Sequence, residues 1–305
     1  MNKNTRRIFV SILTLVLTVV AVGTTTFAWF TIGNIATVSG IEAQVMGGEG
    51  LEIEIVNSIT NESTGWKNNI TSDEFVDLIS DTFKFEAVEL RDTGSFTKLG
   101  VIDNPSAGNE SQGRLYRGVT TTANTEYLEF NINFRSLSEG TVKLTNLTFN
   151  TVNITGFNPE MAYIGPNGSL IPQGTATPDF NGGNALRVSF EDATGGPADN
   201  TYRNAHGVNE NHGQWDYMFK KGNRIFDSAL VTDPNDALSA SPGFSGTAFD
   251  VNTNAITVTL PEPTTEGAFT VATITMRVWV DGWDPHAFDA IYEETLGVSL
   301  VFEKQ

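Results

Sequence analysis

The feature that most limits the fold of this chain is an alternation of apolar and polar residues. It is clear at 51–55, 127–134 and 256–260, and it runs longest through 271–280. Because successive side chains of a strand point to opposite faces, this period of two places one face in a core and the other in water, as in antiparallel sheets. The sequence therefore predicts an all-β fold, a jelly roll or related antiparallel β-sandwich. Long loops rich in Asn, Gly, Pro and Ser are expected at 103–113, 165–184, 191–214 and 232–247.

Two short segments carry the start signals of a helix. Thr71 and Glu74 form a capping-box pattern, which predicts a helix near 72–80. Asp284 and Pro285 fit the N-cap and the first position of a second helix. The chain has no fixed-period repeat and no convincing linker, so residues 46–305 are expected to form a single elaborated β-sandwich domain rather than two domains.

The charge balance excludes two classes of partner. The chain has 305 residues, with 18 Lys and Arg against 36 Asp and Glu, and its formal net charge is −18. A surface this acidic repels the phosphates of nucleic acids and of anionic lipids, so neither is an expected partner. Cysteine is absent, so stability must come from a core, from assembly or from both.

Residues 1–28 have the layout of a secretory signal peptide. Lys3, Arg6 and Arg7 form a basic start, an uncharged apolar run covers 8–22, and small residues lead to Ala28. We expect a signal peptidase to cleave near Ala28, so that the protein contacts the membrane only before cleavage. Retention as an uncleaved anchor is the alternative, because residues 27–30 would lengthen the apolar run toward the roughly 20 residues of a spanning helix.

Residues that could carry catalysis are few and scattered. The three histidines, His206, His212 and His286, form no His-Glu-x-x-His pair, and no Gly-x-Ser-x-Gly turn occurs. We expect no enzymatic activity, no catalytic residue and no cofactor. A hydrolase whose site is invisible in the sequence is a more distant alternative.

Acidic residues cluster where the longest strand ends. Asp281, Asp284 and Asp289 are weak candidates for a calcium site, because they depart from the EF-hand pattern and Asp284 already has a role as an N-cap. Stacking on sugar rings is another binding option, although packing is the more common role of tryptophan in such strands. The tryptophans concerned are Trp29, Trp279 and Trp283.

The segment after the signal, residues 29–45, is apolar, prone to β-structure and broken by Gly33 and Gly40. Cleavage would free its end, and an extended apolar terminus can add itself as a strand to the sheet edge of a neighbouring subunit. Head-to-tail addition of this kind does not close, so it builds a filament. The alternative is that the segment forms the first strand of its own sheet.

Parts of this sequence resemble the TasA/camelysin family, exported proteins of Gram-positive bacteria. The resemblance lies in Phe27-Ala-Trp-Phe-Thr31, in Ala36-Thr-Val-Ser-Gly40 and in the strand that begins at Leu51. It implies a jelly-roll fold, a role in biofilm matrix fibres and a donated N-terminal strand. Members are also described as metalloproteases, but this chain has no recognisable zinc motif. Further stretches similar to related secreted surface proteins are 127–135, 185–190 and 277–284.

We therefore expect an exported structural subunit, located outside the cell or at its surface. It would polymerise with copies of itself into biofilm matrix or surface filaments by donor-strand exchange. The alternative is a monomeric cell-surface module that binds a glycan or calcium through its long loops and Trp283. The anchors of the donated strand would be Trp29, Phe30, Ile32, Ile35 and Val38.

Overall fold

A computed structural model describes most of the chain after residue 36. All of the described residues belong to one compact unit, Ile35–Gln305, and the other unit, Met1–Asn34, lies outside them. Among the described residues, no helix has the length and apolar character needed to cross a membrane. The described residues are 37–46, 50–80, 83, 85–90, 96–102, 115–150, 163–164, 170–171, 182–191, 193, 200–204, 246–282, 284, 286–287 and 295–305.

Strands dominate the described part of the chain, with one α-helix, α1, at Ser72–Val76 and a 3-10 turn at Gly182–Asn184. The strands are β1 Thr37–Met46, β2 Glu52–Asn57, β3 Asn69–Ile70, β4 Ala87–Leu90, β5 Phe96–Ile102, β6 Leu115–Thr120, β7 Leu128–Ser136, β8 Gly140–Asn150, β9 Tyr163–Ile164, β10 Leu170–Ile171, β11 Leu186–Glu191, β12 Thr201–Arg203, β13 Thr247–Ala248, β14 Thr257–Leu260, β15 Thr270–Asp281 and β16 Thr295–Lys304.

One sheet, which we call sheet A, has the strand order β14-β8-β16-β1-β3. The last strand of the chain, β16, lies in its middle, antiparallel to β8 and parallel to the first strand, β1. A parallel pair needs a long crossover connection, and here the crossover is nearly the whole domain. Sheet A is therefore mixed, whereas the alternation in the sequence predicted antiparallel pairing.

The second sheet, sheet B, is built around the longest strand, β15. On one side β15 pairs with β11, which continues to β12 and β13; on the other side it pairs with β7, which pairs with β2. Near its C-terminal end β15 also pairs in parallel with β4, which continues to β5 and β6. Sheet B is thus also mixed, and β9 and β10 form a separate hairpin.

The core lies between the two sheets. β7 alternates strictly between buried and half-buried residues, so one face points inward. Phe302 of sheet A meets Phe134 and Phe190 of sheet B, with ring centroids 4.9 and 6.4 Å apart. Edge-to-face contacts of this kind stabilise a core beyond the area that they bury. The prediction of an all-β sandwich is confirmed.

The helix predicted near 72–80 is confirmed as α1, and it is shorter than expected. The Thr71 hydroxyl accepts a hydrogen bond from the backbone N–H of Glu74, and the Glu74 carboxylate accepts one from the N–H of Thr71. These two bonds are the capping box. The ring of Phe75 is buried 4.5 Å from the ring of Phe130, which ties α1 to β7.

Candidate functional site

The candidate assembly site begins with the N-terminal strand. Four of the five predicted anchors, Trp29, Phe30, Ile32 and Ile35, lie outside the described residues. The fifth, Val38, lies in β1 and is paired with Leu296 of the same chain. The register of the β1–β16 pairing shifts between Val38 and Ile41. This irregularity lies between the first two residues of β1 and the regular part of the strand, which begins at Ile41.

From Ile41 onward, β1 is a regular strand of its own sheet. Ile41, Ala43 and Val45 are buried, and Glu42, Gln44 and Met46 between them are exposed. Thr37–Met46 therefore forms the first strand of the subunit's own sheet, which was the alternative to donation. Residues 37–45 of the predicted donor segment 29–45 belong to β1, which pairs with β16 of the same chain. Residues 29–36 lie outside the described part.

Several strand edges have no partner among the described residues, and three of these stretches lie along the long strands β1, β8 and β15. On β1, β3 pairs only with Ala43 and Gln44, so residues 37–42 have no described partner opposite β16. On β8, β14 pairs with residues 140–143, and no described strand pairs with residues 145–150 on that side. On β15, β11 pairs with residues 275–280, and no described strand pairs with residues 270–274 there. Unpaired edges of this kind are where another extended chain can add.

The two ends of the sandwich differ. At the first, which we call the hairpin end, residues 137–139 join β7 to β8, and the Lys304 ammonium donates a hydrogen bond of 2.8 Å to the Ser136 hydroxyl. At the second, the entry end, Thr37 pairs with Thr295, and β8 finishes at Asn150. The chain that precedes β1 therefore joins the domain at the entry end.

Exposed large apolar side chains are concentrated at the hairpin end. Leu137, Phe269 and Val271 are each 45–49% exposed, at the β7–β8 turn and the start of β15, and Met46 ends β1 at the same end on the other sheet. We call Leu137, Phe269 and Val271 the apolar patch. The two other exposed large apolar residues in the described part are Ile59 and Val76.

An arginine fixes the geometry of this patch. The Arg135 guanidinium lies between two rings, 4.5 Å from the centroid of Trp66 and 4.3 Å from that of Phe269. It also forms an ion pair with Glu52 on the neighbouring strand. Cation–π contacts hold a cation and a ring in a defined arrangement, so this contact orients the half-exposed Phe269 ring over Arg135 of β7.

The predicted calcium candidates occupy a different place, the C-terminal end of β15. Asp281 and Asp284 both face the buried Arg187, with its Nη2 3.3 and 2.8 Å from their Oδ2 atoms. Within the described residues, no three His, Cys, Asp or Glu side chains come together as a metal site would require. Asp289 lies outside the described part, so the calcium site stays a prediction. The positive charge that these two carboxylates meet in the structure is a guanidinium.

Asp284 is fully buried and ionised. Burial would raise its pKa, but the charge of Arg187 and the hydrogen bond with His286 outweigh burial and hold the pKa at about 2. Its Oδ1 accepts a hydrogen bond of 2.9 Å from the backbone N–H of His286. Asp284 therefore caps a turn, and the first residues of the predicted helix that are described, His286 and Ala287, are not helical. The rest of that helix falls outside the described residues.

Arg187 is buried, and no pattern in the sequence indicated this. In β11 the apolar residues Leu186, Val188 and Phe190 alternate with Arg187 and Ser189, a pattern that assigns Arg187 to the solvent face. That face is covered here, and Arg187 Nη1 donates a hydrogen bond of 2.7 Å to the backbone oxygen of Asn184.

Of the tryptophans and histidines considered as candidates, those that the structure describes are buried. Trp279 is buried against Phe96, with ring centroids 5.0 Å apart, so it packs in a core as the more common role predicted. His286 is buried beside Asp284. The remaining candidates lie outside the described residues: Trp29, Trp283, His206 and His212.

Comparison of the chain with protein-family models, with curated proteins and with solved structures found no match.

Proposed function

We propose that this protein is an exported structural subunit that polymerises head-to-tail into extracellular filaments by donating residues 29–36 to a neighbouring copy. The observation that carries the proposal is the pairing of β1 within its own sheet, because a donated strand then has to come from the apolar residues that precede β1. Ile41, Ala43 and Val45 fill the subunit's own core, and eight apolar-rich residues precede the strand that they belong to.

Strand addition supplies enough free energy for a stable polymer. Each large apolar side chain that moves from water into a groove contributes about 1.5–3 kcal/mol. Residues 29–36 carry four such side chains, Trp29, Phe30, Ile32 and Ile35. Backbone hydrogen bonds along the added strand contribute about 1 kcal/mol each. The resemblance to biofilm-fibre subunits supports the same function and the same extracellular location.

The proposal is tested by comparing two forms of the protein by negative-stain electron microscopy and sedimentation. The chain that begins at Trp29 should form filaments. The chain that begins at Thr37 keeps all of β1 and should remain a folded monomer that binds a synthetic peptide of residues 29–36.

A pair of matched variants distinguishes the loss of apolar anchors from the effect of added charge alone. Ile32→Asp with Ile35→Asp should prevent filaments, because it places charges where apolar pockets are expected. Thr31→Asp with Asn34→Asp adds the same charge at polar positions and should still polymerise. Filaments from the chain that begins at Thr37 would show that residues 29–36 are not the donated strand, and a monomeric chain from Trp29 would refute the function itself.

A further inference from the structure

We infer that β4, β5 and β6 form an arm that opens and closes on the sandwich as a unit, and that Lys98 holds this arm shut. The arm is the stretch 87–125, of which residues 87–90, 96–102 and 115–125 are described. The inference concerns a motion within one subunit, so it does not depend on the proposed polymerisation.

The chain leaves the sandwich and returns to it at one place, which we call the neck. There the backbone N–H of Glu86 donates a hydrogen bond of 3.0 Å to the backbone oxygen of Glu126, so the two ends of the arm are adjacent. Just outside the neck, Phe85 and Leu128 are buried in the core between the two sheets. The sandwich therefore fixes the chain on both sides of the arm, and the arm can move while its ends stay in place.

The buried side chains of the arm pack outside the main core. In β15, Val278 and Val280 belong to the main core, and Trp279 between them faces the other side of the sheet. Trp279 belongs to a second, smaller cluster, whose buried members are Val88, Phe96, Tyr127 and Trp279. Local opening requires the least free energy where few buried apolar contacts break. This cluster can therefore open while the main core stays intact, and opening uncovers Trp279.

The described backbone pairing between the arm and the sandwich is short. β4 pairs with β15 at Val280 and Asp281, and the backbone N–H of Gly282 donates a hydrogen bond of 3.1 Å to the backbone oxygen of Val88. β5 pairs with β4, and β6 pairs with β5. By comparison, β7 pairs with β15 along the whole stretch 270–278. The arm therefore separates from β15 more easily than β7 does.

Lys98 joins the arm to the neck. Its ammonium lies 2.7 Å from the carboxylate of Glu86 and 2.7 Å from that of Glu126, so one cation on β5 bridges both sides of the neck. Burial lowers the pKa of Lys98, but the hydrogen bonds and charges of the two carboxylates outweigh burial and raise the pKa above its ordinary value. Opening the arm breaks both ion pairs, and because all three side chains are partly exposed, salt weakens them.

Thiol labelling measures the opening, since the chain has no cysteine of its own. Val88→Cys places a thiol in the small cluster, and Val278→Cys places one in the main core, where both native side chains are buried. A buried thiol reacts only when its surroundings open. Under native conditions we expect a chromogenic disulfide reagent to label Val88→Cys at least about tenfold faster than Val278→Cys. Equal rates would show that the arm opens only when the whole domain unfolds.

Hydrogen exchange of the unmodified chain, read by mass spectrometry, gives the same comparison without a substitution. Amides of 96–102 and 115–120 should exchange faster than those of 128–136 and 270–278, by at least about tenfold. Exchange in the arm that is as slow as in β7 and β15 would overturn the inference.

A pair of lysine variants tests the role of Lys98. In the Val88→Cys background, Lys98→Met should speed labelling at least about threefold, because it removes both ion pairs and keeps an unbranched side chain. Lys67→Met is the matched control, since Lys67 pairs with Glu74 of α1 outside the arm, and it should leave the rate unchanged. Raising sodium chloride from about 0.01 to about 0.15 M should also speed labelling, and should do so much less once Lys98→Met is present.

These results separate the motion from its lock. If Lys98→Met leaves the labelling of Val88→Cys unchanged, or if Lys67→Met speeds it equally, Lys98 does not hold the arm shut. If Lys98→Met speeds the labelling of Val278→Cys as much as that of Val88→Cys, the lysine stabilises the whole domain and the arm is not a separate unit.

Discussion

At the scale of single residues, the most consequential group is Asp284, a carboxylate with no exposure to water. Replacing it by Asn removes the nearer of the two described carboxylates that pair with Arg187 and leaves that of Asp281, at 3.3 Å. Removing one partner of a buried ion pair costs about 3–5 kcal/mol, and the remaining carboxylate places the expected loss at the lower end of that range.

The effect of Asp284→Asn on stability should depend on pH. The pKa of Asp284 is about 2 in the folded state, below its ordinary value of 3.8, so ionised Asp284 stabilises the fold fully above pH 4. That contribution is lost as the pH falls through 2. The free energy of unfolding measured in urea should therefore differ by about 3 kcal/mol between wild type and Asp284→Asn at pH 7, and the difference should shrink below pH 4.

Glu262→Gln is the matched control, because it removes an exposed acidic charge. It should change the unfolding free energy by less than about 0.5 kcal/mol at either pH. A difference between wild type and Asp284→Asn that stays constant from pH 7 to pH 2 would mean that Asp284 is not ionised in the folded protein.

Contacts between residues close in sequence could be predicted, and contacts between distant residues could not. Thr71 and Glu74 were identified because their capping bonds join residues three positions apart. Arg187 and Asp284 are 97 positions apart, and only the tertiary fold brings them together. The bond from the backbone N–H of His286 to Asp284 was also predictable, because it joins residues two positions apart, although it closes a turn and not a helix.

At the scale of elements, β1 decides how much of the N-terminal segment belongs to the subunit. A chain that begins at residue 37 should unfold cooperatively at the same temperature as the chain that begins at Trp29 in its monomeric form. A chain that begins at residue 47 loses the buried side chains of Ile41 and Val45, about 3–6 kcal/mol of burial, and should lose its cooperative transition.

Near-ultraviolet circular dichroism during heating measures both transitions. If the chain that begins at residue 47 still melts cooperatively and binds a peptide of residues 29–46, then all of that segment is exchanged between copies. The donor would in that case extend to Met46 instead of ending before Thr37.

Most strands could be predicted from the sequence, but the strands with which they pair could not. Alternation at 127–134 and 271–280 identified β7 and β15. The same pattern assigns a residue to a face of a sheet and says nothing about the neighbouring strand. The parallel pairing of β1 with β16 and of β4 with β15 therefore had no signal in the sequence.

At the scale of the whole molecule, the net charge of −18 opposes association of identical subunits. Salt shortens the screening length from about 30 Å at 0.01 M to about 8 Å at 0.15 M. Light scattering should therefore show faster filament growth at 0.15 M than at 0.01 M sodium chloride. Slower growth in salt would instead indicate that ion pairs, and not apolar anchors, hold the subunits together.

The place of β16 in the middle of sheet A also sets the timing of folding. Thr37 and Thr295 are direct neighbours, so the first strand of the domain has no partner on that side until the final strand has been synthesised. Such distant pairing folds slowly, and a chain that is cut short lacks the strand that joins β1 to β8. Sheet A can therefore close only after β16 has left the ribosome, so a molecule cut short before Thr295 cannot form a complete sheet A.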